Sequence, residues 1–300
     1  MNPVFTIIIP HKNTPQLLQR CLDSIPQRED VEIIIVDDNS SPDIVDFNKF
    51  PGLDRYDTEV YFDKTGKGAG RARNVGLRHA TGDWLIFADA DDYFYDDAFD
   101  EFDRLVHSDY DMIYFYCNAR DGVTNELIPD RIPHMLQAIQ SKDYDTLRYK
   151  TDVPWGKMIK KEIVDIHNLM FEEIQVSNDI AFSIRVGYSS QSIGLIDRPL
   201  YCVTRNESSL FFKNTPQRIL TRMEASIRKK QFLKQIGKDY PMNFLYYAMQ
   251  LYPNHPILFV KSLCRCKQDT RFVTYVKDVI LNIYRAERKR IGYLRRKLFV

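Results

Sequence analysis

Residues 82–92 read GDWLIFADADD, and the fold turns on this stretch. Trp84 to Ala88 is an apolar run long enough for one buried strand. It stops at Asp89, and Asp91 and Asp92 follow at once. Aspartate is a poor strand former and costly to bury unpaired, so the tip of such a strand needs solvent or a cation. In an open α/β sheet the carboxyl end of a strand is also where ligands bind. A hard divalent cation takes oxygen ligands and bridges to phosphates. The cluster therefore reads as a metal-diphosphate site. It reads equally as a solvated turn capping a helix that begins near Asp96, because Asp is common at both positions.

Upstream, Val4–Pro10 (VFTIIIP) is a β-branched, nearly continuous strand, as expected of a parallel sheet buried on both faces. Pro15 opens a helix with Leu17, Leu18, Cys21, Leu22 and Ile25 on one side. Val31–Val36 is a second strand and ends in Asp37-Asp38-Asn39-Ser40-Ser41. A short helix is expected over 43–50 and a third strand over 59–62. The stretch Gly66-Lys67-Gly68-Ala69-Gly70-Arg71-Ala72-Arg73-Asn74 opens a helix running to about Ala80. Its glycines, helix N-terminus and two arginines make an anion site or, more plainly, a flexible connection. It lacks the Lys-Ser/Thr ending of a Walker loop, and its spacing and position do not fit a dinucleotide fingerprint. A helix over 98–106 and a strand over 112–116 follow. Strands and helices thus alternate to residue 116, which predicts a doubly wound sheet. Residues 118–154 are polar and turn-rich, the kind of insertion that covers a site. A helix over 160–166, a helix over 179–186 capped by Ser177 or Asn178, and strands over 192–196 and 200–203 complete this part. From Pro216 onward the pattern is helical.

Composition fits a soluble globular chain: 44% apolar and 28% charged residues over 300 positions. Met1-Asn2-Pro3 leads directly into a strand, so no signal peptide is expected, and no apolar run approaches a membrane span. Five scattered cysteines point to a reducing, cytoplasmic setting without a disulfide framework. None of the six histidines pairs at metal-ligand spacing. The net charge is +1, yet residues 257–300 hold 12 Lys and Arg against 3 Asp and Glu. An acidic body with a basic tail facing something anionic follows from that asymmetry. Nucleic acid is not the expected partner, because the body is acidic and no reader motif appears.

Three pieces therefore sit at carboxyl ends of expected parallel strands: Asp37/Asp38, Arg71/Arg73 beside the glycines, and Asp89/Asp91. In this order the sequence resembles the inverting glycosyltransferases of family 2, with the GT-A fold. TIIIPHKN (6–13), IIIVDDNSSPD (33–43) and GRARNVGLRHATGDWLIFADADD (70–92) carry the resemblance. It is strong over 4–116, moderate over 150–210, and fades after about 215. It implies a Rossmann-like, mostly parallel sheet flanked by helices over 1–212, with a nucleotide-sugar half to about 116 and an acceptor half to 212. A basic helical region then occupies 213–300.

Residue by residue, the resemblance implies that Pro10 and Asn13 line a nucleotide pocket and that Asp38, with its neighbour Asp37, meets the base. Gly70 and Arg73 lie near the base or diphosphate, and Asp89 lies by the ribose. Asp91 would coordinate Mn²⁺ or Mg²⁺. The family's late Glu-Asp pair is here Asn178-Asp179: the Glu is absent, and Asp179 is the general base, with Glu172 or Glu173 as fallback. Trp155, Lys157 and Asn178 are acceptor-side candidates, and Arg205 with Ser208 and Ser209 matches a loop that closes over the diphosphate. Trp155 reads equally as a core residue, and Asp179 as an ordinary helix-start acid. The implied activity is metal-dependent, inverting transfer from a nucleoside-diphosphate sugar, a UDP-sugar first, to a hydroxyl of a glycan or lipid-linked glycan. A nucleotide-sugar-binding or partner-binding relative without turnover is the alternative. Residues 285–300 read either as a peripheral contact with anionic lipid at the inner membrane face or as a solvated or homodimer-forming helix.

Overall fold

A computed structural model describes residues 3–205 and 215–266. The chain divides into two compact units, Met1–Lys213 and Asn214–Val300. In chain order the first unit contains β1 (Phe5–His11), α1 (Pro15–Asp23), β2 (Val31–Asp38), β3 (Thr58–Asp63), α2 (Ala69–His79), β4 (Trp84–Phe87), β5 (Tyr93–Phe94) and α3 (Ala98–Asp103). It continues with β6 (Met112–Asp121), β7 (Leu127–Ile128), α4 (Met135–Ser141), α5 (Tyr144–Lys150), β8 (Lys157–Lys160), α6 (Lys161–Ile166), α7 (Ile180–Ser189) and β9 (Ile193–Arg205).

The sheet order is β3-β2-β1-β4-β8-β6-β9-β5, with β7 on the side of β6. β1 is parallel to β2 and β4, and β2 to β3. β8 enters antiparallel between β4 and β6, so those two run the same way. β9 is parallel to β6. The carboxyl ends of β1, β2, β3, β4, β6 and β9 therefore share one edge, and the acidic tips of β2, β3 and β4 lie on it.

Alternation along β1 explains how both faces are covered. Ile8 meets Gly76 of α2, whereas the Phe5 ring meets Phe99 and Phe102 of α3. β1 and β4 have no solvent face, which accounts for their near-continuous apolar sequences. The second unit contains α8 (Pro216–Gln235), α9 (Phe244–Leu251) and α10 (Pro256–Cys266). Its own core includes Ile219, Leu245, Ala248, Leu251 and Phe259. Among the described residues no helix is long and apolar enough to cross a membrane.

Four local expectations change. The helix expected over 43–50 is a three-residue 3₁₀ turn, Phe47–Lys49, in which the Asp46 carboxylate accepts from the Asn48 N–H. Asp side chains compete for backbone donors, and Pro51 blocks extension. The helix expected to reach Val106 ends at Asp103. The two late strands are one, β9, interrupted in register where Pro199 faces Tyr116. Proline gives no ladder donor, so the strand reads as two in sequence. The insertion is also more ordered than its composition implies: β6 runs to Asp121 and forms a hairpin with β7, and two helices follow.

A Cβ on Gly76 would lie 2.5 Å from Cγ2 of Ile8. Gly76→Ala should force α2 off the sheet and destabilise the fold by about 1–3 kcal/mol despite alanine's better helix propensity. Chemical denaturation of both forms measures this, and an unchanged midpoint would contradict the packing.

Candidate active site

Asp37 and Asp38 are adjacent in β2, so the pleat sends them to opposite faces. Asp37 lies in the core, where it accepts from His11 Nδ1 at 2.8 Å and from Ser40 N–H at 2.9 Å and Oγ at 2.5 Å. His11 Nε2 accepts from the Thr14 N–H at 3.1 Å, which puts the ring proton on Nδ1, facing Asp37. Burial opposes ionisation of Asp37, but the hydrogen bonds from His11 and Ser40 outweigh it and hold its pKa below the usual carboxylate range. Asp37, expected beside the nucleotide, instead ties the β1 loop to the β2 loop. Asn13 completes the tie: its N–H donates to Ser40 Oγ and its Oδ1 accepts from the Ser41 N–H, both at 2.8 Å. Pro10 is buried at the same end of β1.

Asp38 faces the glycine loop. It accepts from the Gly68 N–H at 2.8 Å and from Lys12 Nζ at 3.0 Å. The loop is thereby fastened to the end of β2. Gly68 has φ +94°, in the region glycine favours. Gly70 lies so close to the loop over 171–178 that a Cβ there would come within 2.2 Å of the Glu172 carbonyl oxygen.

Arg73, on α2, reaches across the sheet edge. Its guanidinium donates to Asp89 Oδ1 at 2.5 Å and to Asn178 Oδ1 at 3.0 Å, and lies over the Phe171 ring. Asn74 holds the same loop: its side-chain amide exchanges both hydrogen bonds with the Phe171 backbone, at 2.8 and 3.0 Å. Asn178 is therefore not a vacancy left by a missing Glu. Its amide oxygen receives Arg73 and presents α7 to the strand tip.

Asp179 occupies the N-cap position of α7 but makes no side-chain cap bond. The expected cap from Ser177 or Asn178 is not formed. Burial lifts the Asp179 pKa to about 6 against the lowering pull of Arg73, with Asp152 and Asp89 adding to the rise. Asp91 is also raised to about 6, by burial and then by Asp89. No side chain among the described residues hydrogen-bonds its carboxylate. Its backbone carbonyl accepts from Arg20 at 2.5 Å. Asp92 points inward, accepting from Tyr201 Oη at 2.9 Å and the Thr204 N–H at 2.7 Å, and Tyr201 in turn accepts from the Asp89 N–H at 2.8 Å. The three aspartates of the tip thus divide: Asp92 anchors the turn to β9, Asp89 pairs with Arg73, and the Asp91 carboxylate has no side-chain partner among the described residues.

No group of three metal-ligating side chains occurs among the described residues. Asp91 still fits a hard divalent cation in an oxygen-only setting, because Mg²⁺-type sites commonly use one or two carboxylates and take the rest from phosphate and water. Trp155 and Lys157 correct an expectation. Both are buried, Trp155 stacks on Tyr201, and the Lys157 ammonium donates to the Thr151 and Val153 carbonyl oxygens. Lys157 thus holds the main chain of 151–153, and neither side chain is exposed. Arg205 ends β9, while Ser208, Ser209 and the 285–300 tail lie outside the described residues. Arg20, Asn74 and Tyr201 escape a sequence reading, because their roles depend on strand order rather than on any local pattern. Only the Ala72-Arg73-Asn74 segment carries a signal for one of them.

The family model for glycosyl transferase family 2 matches residues 6–167, and the chain belongs to that family. The putative glycosyltransferase EpsH of Bacillus subtilis is 25% identical over 210 residues, 66% of this chain and 60% of EpsH. The chain thus covers less than two thirds of that relative's length. TarS 1–349 of S. aureus, crystallised with UDP-GlcNAc, superposes with TM-score 0.62 at 19% identity over 86% of this chain and 79% of its own. The mannosyltransferase PcManGT of Pyrobaculum calidifontis, in complex with GDP-Man and Mn²⁺, gives 0.51 at 17% identity over 96% and 83%. These likenesses establish a GT-A type fold.

Because the folded pKa of Asp37 is depressed, its stabilisation is present above the unfolded value of about 3.8 and lost as pH falls through the folded one. Asp37→Asn should cost about 1–3 kcal/mol at neutral pH, and the gap to the parent should narrow below about pH 4. Urea titrations at pH 7 and pH 3 provide the comparison. A gap independent of pH would remove the charge from the account.

Proposed function

We propose that the protein transfers a sugar from a nucleoside-diphosphate donor to a hydroxyl acceptor, inverting the anomeric centre. The observation that carries this reading is Arg73 joining the strand tip, Asp89 and Asp91 on one side, to Asn178 and Asp179 on the other. Donor and acceptor chemistry need those two sides together: anionic and cationic groups for a departing diphosphate, and a base for the attacking oxygen.

The acceptor oxygen forms a bond to the anomeric carbon as its proton passes to Asp179. The bond from that carbon to the diphosphate oxygen breaks, and its electron pair leaves with the diphosphate. Arg73 and the N-terminal amides of α2 meet the growing negative charge. Attack opposite the leaving group needs no enzyme nucleophile. A cation held by Asp91 would neutralise charge on the diphosphate. In this reading Asp38 and Asn13 would meet the base and Asp89 the ribose.

UDP is the first nucleotide to test, since TarS is crystallised with UDP-GlcNAc, and Mn²⁺ the first metal, since PcManGT is seen with it. A glycan or lipid-linked glycan is the proposed acceptor, with the basic residues of 285–300 contacting an anionic membrane surface.

Nucleotide release from a panel of UDP- and GDP-sugars with Mn²⁺ tests the reading. Asp91→Asn should abolish release, and near-parent rates would remove the metal assignment. Asp179→Asn should leave nucleotide binding intact and lower turnover by roughly 10²-fold or more. An unaffected rate would move the base elsewhere. Because a base must be ionised to accept a proton, the rate should fall as pH drops through about 6. A flat profile between pH 5 and 8 would contradict that role. Tight nucleotide binding without turnover under any condition would favour the binding-only alternative.

A further inference from the structure

Glu173 has no role in the transfer just described, yet it joins two segments that border the donor site. It lies in the loop over 171–178 that presents Asn178 and Asp179. Lys67 Nζ approaches its carboxylate at 3.7 Å and Arg71 at 3.4 Å, while the other side of the Arg71 guanidinium is held by Asp63 at 2.9 Å. The main chains beneath these ion pairs are in contact. Besides the Glu172 carbonyl against Gly70, a Cβ on Gly68 would lie 3.7 Å from the Ile174 carbonyl oxygen. The N-terminal turn of α2, the glycine loop and two cations thus attract anions, and a carboxylate of the protein itself pairs with them.

We propose that Glu173 is an internal stand-in for the donor's diphosphate: an ion-pair clasp that closes the glycine loop onto the 171–178 loop in the free protein. This rests on the transferase reading above. An arriving nucleoside diphosphate takes Lys67 and Arg71 from Glu173. The exchange is favourable because a diphosphate offers more charge and more acceptor oxygens than one carboxylate, and guanidinium pairs with phosphate in a fork. The displaced pairs are weak, since all three side chains are part-exposed: Lys67 56%, Arg71 28% and Glu173 32%. Release of Glu173 removes the side-chain tie between the glycine loop and the middle of the 171–178 loop, whose two ends stay held by Asn74 and Arg73, so donor arrival is coupled to the segment that receives the acceptor. Glu173, named from sequence as a fallback base, then acts as a positioning residue.

Calorimetric titration of the full chain with UDP and Mn²⁺ tests this. Glu173→Gln should tighten UDP by about 3- to 10-fold, and Lys67→Met should weaken it. The deciding measurement repeats Glu173→Gln in a Lys67→Met background and in a Lys67→Met/Arg71→Met background. The gain should shrink in the first and vanish in the second. An undiminished gain there would mean a general effect of removing negative charge, and would overturn the clasp. So would an unchanged affinity for Glu173→Gln alone. Failure of the parent protein to bind UDP or GDP with Mn²⁺ would instead remove the donor reading itself, and the clasp with it.

Discussion

Arg73 is the constraint on which the site depends. Its guanidinium is nearly buried, one nitrogen on Asp89 at the end of β4 and another on Asn178 before α7. A planar fork can serve two acceptors at fixed angles, which an ammonium cannot. Without it, Asp89 would lose its charge partner and the 171–178 loop its link to the strand tip. The same side chain pulls the pKa of Asp179 down against burial, so the proposed base remains ionisable near neutrality. Position, charge and proton affinity at the site all pass through one residue.

Around it the sheet edge sorts its carboxylates by environment rather than by sequence. Asp37 and Asp92 are fully partnered and hold loops to strands. Asp38 fastens the glycine loop, and Asp63 orients Arg71. Asp91 and Asp179 have raised pKa values and, among the described residues, no side-chain hydrogen bond to hold them. Half-buried carboxyls in that state are poor contributors to stability and good candidates for chemistry. Two such groups, one on each side of Arg73, fit a two-sided displacement.

Much of this was legible in the chain. The apolar runs 4–10, 31–36 and 84–88 gave the parallel strands, and the acidic ends of the last two gave the edge where the candidate site lies. Periodicity cannot reveal which of two adjacent aspartates turns inward until the strand's faces are assigned, hence the misplacement of Asp37. Nor can it show that Lys157 ends on main-chain carbonyls, since a lysine in a Trp-Gly-Lys segment looks available until β8 is seen between β4 and β6. Arg20, which reaches Asp91 and Thr204 from α1, depends on contacts 71 and 184 residues away, and no local pattern carries such information. Asn178 reads as a loss in sequence and as a partner for Arg73 in the structure.

The central claim is that Asp91 holds a cation against a donor diphosphate beside Arg73. Crystals soaked with UDP and Mn²⁺, with data collected at the manganese edge, test it most directly. The account predicts one anomalous peak within bonding distance of the Asp91 carboxylate and of both phosphates, with the uridine toward Asp38. A nucleotide bound there with no manganese peak, or a peak away from Asp91, would contradict it.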